Sequence, residues 1–214
     1  MMLRLALVFS SLVMLCACGP TEKTSSGEAA LLQPPLLARW HPADIADNGR
    51  VWIQADNLMM FPGRPMTAAV FDGWTEAKLP LTDYAISFEA RRVEGRDFFA
   101  ALTFPVNKID TCATLVLGGW GGALVGISSI DDQDASENST RSEQAFVNGQ
   151  WYKVRLEITH EDLKAWIDDR LVVNTSITGR KISLRPGDIE HCAPFGLASF
   201  GSEGQVRALK VRRL

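Results

Sequence analysis

The sequence predicts an all-β protein built as a two-sheet sandwich or a barrel, and three observations carry this prediction. Beyond residue 36 no long segment has helical periodicity, short runs of alternating apolar and polar residues recur, and turn-forming residues separate them. Such alternation is typical of strands with one buried face. About a dozen of these runs, without helices, indicate two packed sheets or a closed barrel.

The segment WYKVRLEIT (151–159) is the clearest strand. Apolar side chains stand at every second position and charged ones stand between them, so one face is expected to be buried. Asn148-Gly149 precedes this segment and is a strong hairpin signal. Two further β-type runs follow it and flank a tight turn at Asp168-Asp169. The sequence therefore predicts a meander of hairpins here.

Four more segments complete the predicted sandwich. YAISFEARR (84–92) alternates, whereas DFFAALTF (97–104) is apolar on both faces, as expected for a central strand. FGLASF (195–200) and VRALKVRRL (206–214) close the chain.

The N-terminus, MMLRLALVFSSLVMLCACGP, resembles a bacterial lipoprotein signal. A positive residue, Arg4, precedes an apolar run that is too short to span a bilayer. The run ends in LCAC, where Cys18 follows a small residue, as the lipoprotein peptidase requires. The resemblance implies cleavage after residue 17, lipidation of Cys18 and stable membrane anchoring. Gly19 replaces the aspartate that retains lipoproteins at the inner membrane, so the outer membrane is expected.

Three parts are therefore expected: a signal peptide at 1–17, the lipidated cysteine with a flexible tether at 18–39, and a β domain at 40–214. The tether region is rich in Ser, Thr, Glu, Gly and Pro. Cleavage removes one basic residue and no acidic one, which leaves 21 basic and 25 acidic residues. This acidic balance speaks against nucleic acid as a partner. Cys112 and Cys192 remain in the domain, and an exported protein could either pair them or leave them free.

The order of the strands resembles the 3-keto-disaccharide hydrolase family. The resemblance rests on RVWIQADNLMMFPG (50–63), LTDYAISFEARR (81–92), GQWYKVRLEITHEDLKAWIDDRLV (149–172) and FGLASFGSEGQVRALKVRRL (195–214). It implies a concanavalin A-like jelly roll of two antiparallel sheets, with the ligand across the concave sheet and its rim loops. It also implies a carbohydrate or glycoside ligand. The segment after FEARR departs from the family pattern, which indicates a divergent branch.

The chemistry implied by the resemblance differs from ordinary glycoside hydrolysis. A ketone at C3 acidifies the C2 hydrogen, so that one base can remove it and expel the C1 substituent. The site then needs a base, a proton donor and a group that stabilises the enolate oxygen. The Glu-x-Asp-x-Glu strand of the family-16 glucanases, which share the fold, does not occur in this sequence. The implied reaction requires no cofactor.

The acidic stretch SSIDDQDASEN (128–138) is the densest supply of carboxylates, and it follows the glycine-rich GGWGG (118–122). Asp131, Asp134 and Glu137 are candidate catalytic residues, because a turn could direct residues spaced three apart inward together. The alternatives are a solvated connection or a calcium loop. An EF-hand-like count fits poorly, because Glu137 stands where glycine is required. The three histidines are scattered, so no metal site is predicted.

Three other residues are candidates for substrate binding. Trp120 could be a platform on which a sugar ring stacks, although a tryptophan is more often a core residue. Glu89 and Arg91 lie on the polar face of their strand and could form the floor of the site if that strand belongs to the concave sheet. The leading hypothesis is an envelope-anchored hydrolase of 3-keto-glycosides. The alternatives are a non-catalytic carbohydrate-binding module, which a flat aromatic strip without convergent carboxylates would favour, and a purely structural envelope lipoprotein.

Overall fold

The computed structural model describes residues 27–214. The predicted signal peptide and Cys18 lie outside the described residues. Among those residues, no helix has the length and apolar character that a membrane span requires.

Fifteen strands form the described part of the chain, and all paired strands are antiparallel. They are β1 (Glu28–Ala30), β2 (Trp40–Pro42), β3 (Val51–Gln54), β4 (Asn57–Met60), β5 (Met66–Phe71), β6 (Tyr84–Gly95), β7 (Ala100–Val106), β8 (Lys108–Gly118), β9 (Leu124–Ser128), β10 (Ser142–Glu143), β11 (Tyr152–Ile158), β12 (Asp162–Ile167), β13 (Arg170–Ser176), β14 (Gly196–Phe200) and β15 (Ser202–Arg213). Two short 3-10 turns (Leu36–Arg39 and Asp188–Cys192) and one helical turn (Gly119–Gly122) interrupt them.

The strands form two sheets, which confirms the predicted sandwich. Sheet A has the order β13-β12-β11-β6-β15-β4-β3, with β1 paired to β15, and sheet B has the order β10-β9-β8-β7-β14-β5-β2. The predicted hairpin series corresponds to β11, β12 and β13, which are consecutive neighbours in sheet A. The strand predicted at 97–104 begins only at Ala100, because Asp97–Phe99 form the approach to it.

The core lies between the sheets and contains an aromatic cluster. The ring of Trp74 lies 4.9 Å from that of Phe195 and 5.6 Å from that of Tyr84. Phe71 lies 6.2 Å from Phe195 on another side of the cluster. Trp74 is only 1% exposed, so it is a core residue. Such clusters supply a large share of a sandwich's apolar burial.

The domain begins earlier than predicted. β1 pairs with β15 from Glu28 to Ala30, and the next two residues, Leu31 and Leu32, are fully buried in the core. The tether predicted for 18–39 therefore overlaps the folded domain over residues 28–39. The polar composition of the segment gave no sign of this attachment. One short edge strand and two buried leucines are enough to hold the segment on sheet A.

The two cysteines of the domain are free thiols. Both are buried, and burial raises the pKa of Cys112 to about 11 and that of Cys192 to about 12. A protonated thiol is a poor nucleophile, so both behave as small apolar side chains.

Candidate functional site

A long segment crosses the outer face of sheet B between β13 and β14. We call residues 177–195 the strap. Near its start, the strap pairs with the chain that leaves β9: Ser129 and Ser183 exchange backbone hydrogen bonds of 2.8 and 3.2 Å, and the amide of Asp131 donates to the carbonyl of Lys181 at 2.8 Å. Near its end, Ile189 and Cys192 pack on a second apolar cluster. The strap is therefore held at two separate places on the sheet.

Small side chains on sheet B make room for the end of the strap. Ala68, Ala101 and Ala198 point outward from β5, β7 and β14 and form the surface on which Cys192 packs. Larger outward residues would lift the strap from the sheet. The outward alanines of these three strands thus form the shallow groove in which the end of the strap lies.

A cavity of about 310 Å³ remains beneath the middle of the strap. Sheet B supplies its floor and the strap supplies one wall. It is lined by Met66, Phe98, Ala101, Thr114, Val116, Trp120, Ser128, Arg185, Pro186, Asp188, Ile189 and Phe200. The volume lies at the lower end of the range for small-molecule sites, about 300–1,000 Å³. This cavity is the candidate functional site.

Aromatic side chains form the wall opposite the strap. Trp120 is 43% exposed and Phe200 is 37% exposed, and the two large apolar side chains line the same cavity. Phe98 lies beside Phe200, with ring centroids 5.6 Å apart. A smaller cavity of about 160 Å³ continues along the same three rings. The wall therefore offers an extended aromatic surface to a ligand.

Hydroxyl groups on the floor face the cavity. Thr114 shares a hydrogen bond of 2.9 Å with Thr103, both on sheet B. Ser128, at the end of β9, is 4% exposed, and its Oγ has no hydrogen-bond partner among the described residues. A buried hydroxyl without a partner costs free energy, so an unpaired one in a cavity wall is a feature that a ligand could satisfy.

Two charged residues line the cavity, and both belong to the strap. The guanidinium carbon of Arg185 lies 5.6 Å from the centroid of the Trp120 ring, within range of a cation–π contact. Asp188 begins the 3-10 turn Asp188–Cys192 and is exposed. Asp97 lines only the smaller neighbouring cavity. The larger cavity is thus apolar and aromatic, with a single carboxylate at its rim.

The glycine-rich segment GGWGG places Trp120 at this rim. Trp120 itself has a left-handed backbone, with φ of 48° and ψ of 54°, which an L residue adopts only in a tight local turn. The amide of Gly121 donates to Oδ2 of Asp97 at 3.3 Å. The carbonyl of Gly122 accepts from Nη1 of the buried Arg92 at 3.4 Å. These contacts turn the indole away from the core, where the sequence alone favoured placing it.

The acidic loop does not point its first two carboxylates into the cavity. Asp131 accepts hydrogen bonds from Nε of Arg180 (2.5 Å) and from the backbone amide of Lys181 (2.8 Å). Asp132 pairs with Nζ of Lys181 at 2.7 Å. The hydrogen bond from the Lys181 amide, followed by that from Arg180, holds the pKa of Asp131 below its usual value. A carboxylate with a lowered pKa is a weak base, so the structure gives Asp131 a role in holding the strap.

Asp134 and Glu137 are used within their own loop. Oδ1 of Asp134 accepts from the amide of Ser136 at 2.8 Å, and Oε2 of Glu137 accepts from the amide of Asp134 at 3.4 Å. The bond from the Asp134 amide to Glu137 is the return bond of a capping box, and the Asp134 side chain caps the second amide of the turn, that of Ser136, in place of the third. Oδ2 of Asp134 also lies 3.9 Å from Nη1 of Arg185 on the strap. Neither residue lines the cavity.

Glu89 and Arg91 are not the floor of the site, contrary to the sequence-based hypothesis. Both lie on β6 in sheet A, whereas the acidic loop and Trp120 belong to connections of sheet B. Glu89 pairs with Nη2 of Arg207 at 2.6 Å, and Arg91 donates to Oε1 of Gln205 at 2.7 Å. The alternation of β6 correctly showed that they face solvent, but it could not show which sheet contains them.

Within residues 27–214, no three His, Cys, Asp or Glu side chains converge in a way that could hold a metal ion. The acidic loop, which the sequence analysis considered as a calcium loop, instead pairs its carboxylates with Arg180, Lys181 and backbone amides.

The cavity contains residues that sequence reasoning did not single out: Phe98, Phe200, Arg185, Asp188, Thr114 and Ser128. They come from five separate places in the chain, because Arg185 and Asp188 both belong to the strap. One feature of the sequence did point to this surface. The segment 97–104 is apolar on both faces, which indicates that another part of the chain, or a ligand, covers the outer face of its strand.

No protein-family model and no curated protein sequence matches this chain. Solved structures do resemble it. An endo-β-1,3(4)-glucanase of glycoside hydrolase family 16 shares 10% identity at a TM-score of 0.59, covering 91% of this chain and 96% of that one. The Crh5 transglycosylase shares 10% identity at a TM-score of 0.56, covering 87% and 83%. Domain 4 of the arabinanase AbnA from Geobacillus stearothermophilus, solved with arabinotriose, shares 12% identity at a TM-score of 0.50, covering 81% and 82%.

These likenesses concern the fold. Together with the two antiparallel sheets, they confirm the predicted concanavalin A-like jelly roll. A shared fold does not specify a shared function, which depends on the residues of the site.

Proposed function

We propose that this protein binds carbohydrate in the cavity between sheet B and the strap, as a non-catalytic module. The observation that carries the proposal is the aromatic wall of the exposed Trp120 and Phe200 and the half-buried Phe98, beside a small cavity with one rim carboxylate. Apolar faces of sugar rings pack on aromatic side chains, and sugar hydroxyls need partners such as the Oγ of Ser128. Proteins of similar fold include an endo-β-1,3(4)-glucanase and an arabinanase domain solved with arabinotriose, which supports the proposal.

The scarcity of carboxylates favours binding over ordinary glycoside hydrolysis. Hydrolysis generally uses two carboxyl groups that flank the scissile bond, about 5–10 Å apart. Asp188 is the only carboxylate residue in the lining of the larger cavity. An aromatic surface without convergent carboxylates is what the binding hypothesis requires, so this lining favours the binding module over ordinary hydrolysis.

A hydrolase of 3-keto-glycosides is the second candidate, and one observation favours it. Its elimination step needs one base, and Asp188 lines the same cavity as Arg185. In this proposal, the carboxylate of Asp188 takes the proton from C2, the C2 electrons form the double bond to C1, and the C1 substituent leaves with a proton from solvent. Water then adds at C1 and releases a proton to solvent, and Asp188 returns its proton to C2, which restores the carboxylate. Arg185 would stabilise the enolate oxygen.

We further propose that the domain is anchored to the bacterial outer membrane through lipidated Cys18. The support is the LCAC sequence after an apolar run. The distance to the membrane is limited, because nine residues separate Cys18 from Glu28 and an extended chain spans at most ~3.6 Å per residue.

The test of binding uses the mature chain from residue 18 with the change Cys18→Ser. Calorimetry against arabino-, gluco- and xylo-oligosaccharides should find a ligand, and Trp120→Ala should weaken its binding about ten-fold, or about 1.4 kcal/mol. Trp52→Ala is the matched control, because Trp52 is also exposed, at 52%, but lies on sheet A. Equal effects of the two changes, or no binding to any glycan, would remove the proposal.

The test of catalysis is incubation of the same protein with 3-keto-glucosides and their parent glucosides. Release of the aglycone from the 3-keto compounds alone, abolished by Asp188→Asn, would establish the second candidate. Binding without release would leave the non-catalytic module.

A further inference from the structure

The strap changes what the site can accept. An uncovered outer face of a sheet in such a sandwich is open along its whole width, and a long polymer can lie across it. Here the strap crosses that face from the end of β9 to the surface of β5 and β14. The cavity is therefore closed on the side of the strap and open between the strap and the aromatic wall.

Exposure of the lining residues identifies the opening. Trp120 and Phe200 are exposed on one side, and Arg185, Pro186 and Asp188 are exposed on the other. The floor residues Ala101, Thr114, Val116 and Ser128 are buried beneath them. The two rims meet where Arg185 lies 5.6 Å from the Trp120 ring, so a ligand that reaches the hydroxyl of Ser128 must enter beside this contact or displace it.

The strap is fastened by opposite charges. Its basic residues Arg180 and Lys181 pair with Asp131 and Asp132 of the acidic loop. Arg185, which forms part of the rim, lies 3.9 Å from Asp134. We call the contacts of Arg180 and Lys181 with Asp131 and Asp132 the clasp. Two backbone hydrogen bonds between Ser129 and Ser183 support it.

We infer that the cavity accepts the terminal residue of a glycan and excludes internal stretches of a chain, because the clasped strap blocks the path of a polymer across sheet B. This inference rests on the proposed carbohydrate binding and adds the class of ligand. A cavity of about 310 Å³ beneath a strap holds a chain end. An internal residue would need an exit on the far side, where Ile189 and Cys192 pack on the sheet. The acidic loop then has a function that is neither catalytic nor merely solvating.

The test uses the mature chain with Cys18→Ser and a soluble polysaccharide of whichever sugar it binds, either intact or partly cleaved by an endo-acting hydrolase. Bound protein per mass of polysaccharide should rise in proportion to the number of chain ends. The same amount bound per mass at every chain length would overturn the inference while leaving carbohydrate binding intact. No binding to any of the preparations would overturn the proposed function and this inference with it.

A second variant tests the clasp itself. The double change Asp131→Asn and Asp132→Asn keeps the side-chain shapes but removes both charges that hold Arg180 and Lys181. Binding should then lose its dependence on chain length, because a loosened strap admits internal residues. Glu28→Gln is the control, since it removes an exposed ion pair of similar length, 2.7 Å to Lys210, on sheet A. An unchanged dependence in the folded double variant would show that the clasp does not restrict the ligand.

Discussion

Nε of Arg180 donates a hydrogen bond to Oδ2 of Asp131, and this contact joins two loops that lie 49 positions apart in the chain. The same carboxylate accepts from the next backbone amide, that of Lys181. One aspartate thereby fixes both the side chain and the backbone of the strap. The acidic stretch is best understood through these partners, because its own sequence shows only a cluster of negative charge.

The first prediction concerns the pH dependence of stability through Asp131. Its pKa is lowered in the folded protein, whereas the pKa of an unfolded aspartate is about 3.9. The contact therefore stabilises the fold above that pH, and the stabilisation is lost as the pH falls through the lower, folded-state pKa. Thermal melts of the parent and of Asp131→Asn should differ at pH 7 and converge toward pH 2. A difference that stays constant over this range would contradict the assignment.

The second prediction concerns the buried Arg92, which positions the loop of Trp120. Nη2 of Arg92 donates to the carbonyl of Phe146 at 2.8 Å, Nε donates to Oδ1 of Asn148 at 2.6 Å, and Nη1 contacts Gly122. Arg92→Met keeps the aliphatic volume but leaves these acceptors without a donor, so urea denaturation should show a loss of about 2–3 kcal/mol. Arg91→Met, one position along on the outer face, should cost much less. Equal losses would mean that the three buried contacts of Arg92 contribute no more than the outer contacts of Arg91 with Gln205.

Sequence patterning was sufficient for the fold because its signals are local. Alternation in WYKVRLEIT depends only on neighbouring residues, and β11 spans Tyr152–Ile158 as expected. The capping box at Asp134 and Glu137 is also local, with the acceptor three residues after the cap. The three-residue spacing of Asp134 and Glu137 is typical of a capped turn, so the sequence itself indicated a structural role for these two residues.

The site could not be predicted in the same way, because its residues meet only through tertiary structure. Phe98 precedes β7 and Phe200 ends β14, yet their rings are 5.6 Å apart. Arg185 reaches Trp120 from a segment 65 residues away, which no periodicity can reveal. The place of Glu89 and Arg91 was conditional on their sheet for a related reason: period-two alternation specifies a face of a strand but not the sheet to which the strand belongs.

The third prediction concerns membrane attachment. If Cys18 is the lipidated residue, Cys18→Ser should abolish labelling with radioactive palmitate and move the protein from the membrane to the soluble fraction. Cys16→Ser should change neither result, because Leu15 before it is a poor fit for the processing site. Labelling that persists in Cys18→Ser, or that is lost in Cys16→Ser, would show that the assignment of the modified cysteine is wrong.

The final prediction compares two tryptophans of one core cluster. Both contact Phe195: the ring of Trp74 lies 4.9 Å from it and that of Trp40 lies 6.1 Å from it. Their indole nitrogens differ. Nε1 of Trp40 donates to the carbonyl of Leu31 at 2.9 Å, whereas Nε1 of Trp74 is buried and has no acceptor among the described residues.

Replacing each tryptophan by phenylalanine should therefore cost different amounts. Both changes lose similar apolar contacts, but Trp40→Phe also loses a hydrogen bond and leaves the Leu31 carbonyl without its donor. Trp74→Phe removes a donor that has no acceptor. Trp40→Phe should be the more destabilising by about 1 kcal/mol or more, while Trp74→Ala should cost about 3–5 kcal/mol because it opens a cavity in the core. Urea denaturation of the three variants measures these values. If Trp74→Phe costs as much free energy of unfolding as Trp40→Phe, the expected difference is wrong. Either the Trp74 indole has a hydrogen-bond partner, or the hydrogen bond from Trp40 to Leu31 stabilises the fold less than its geometry indicates.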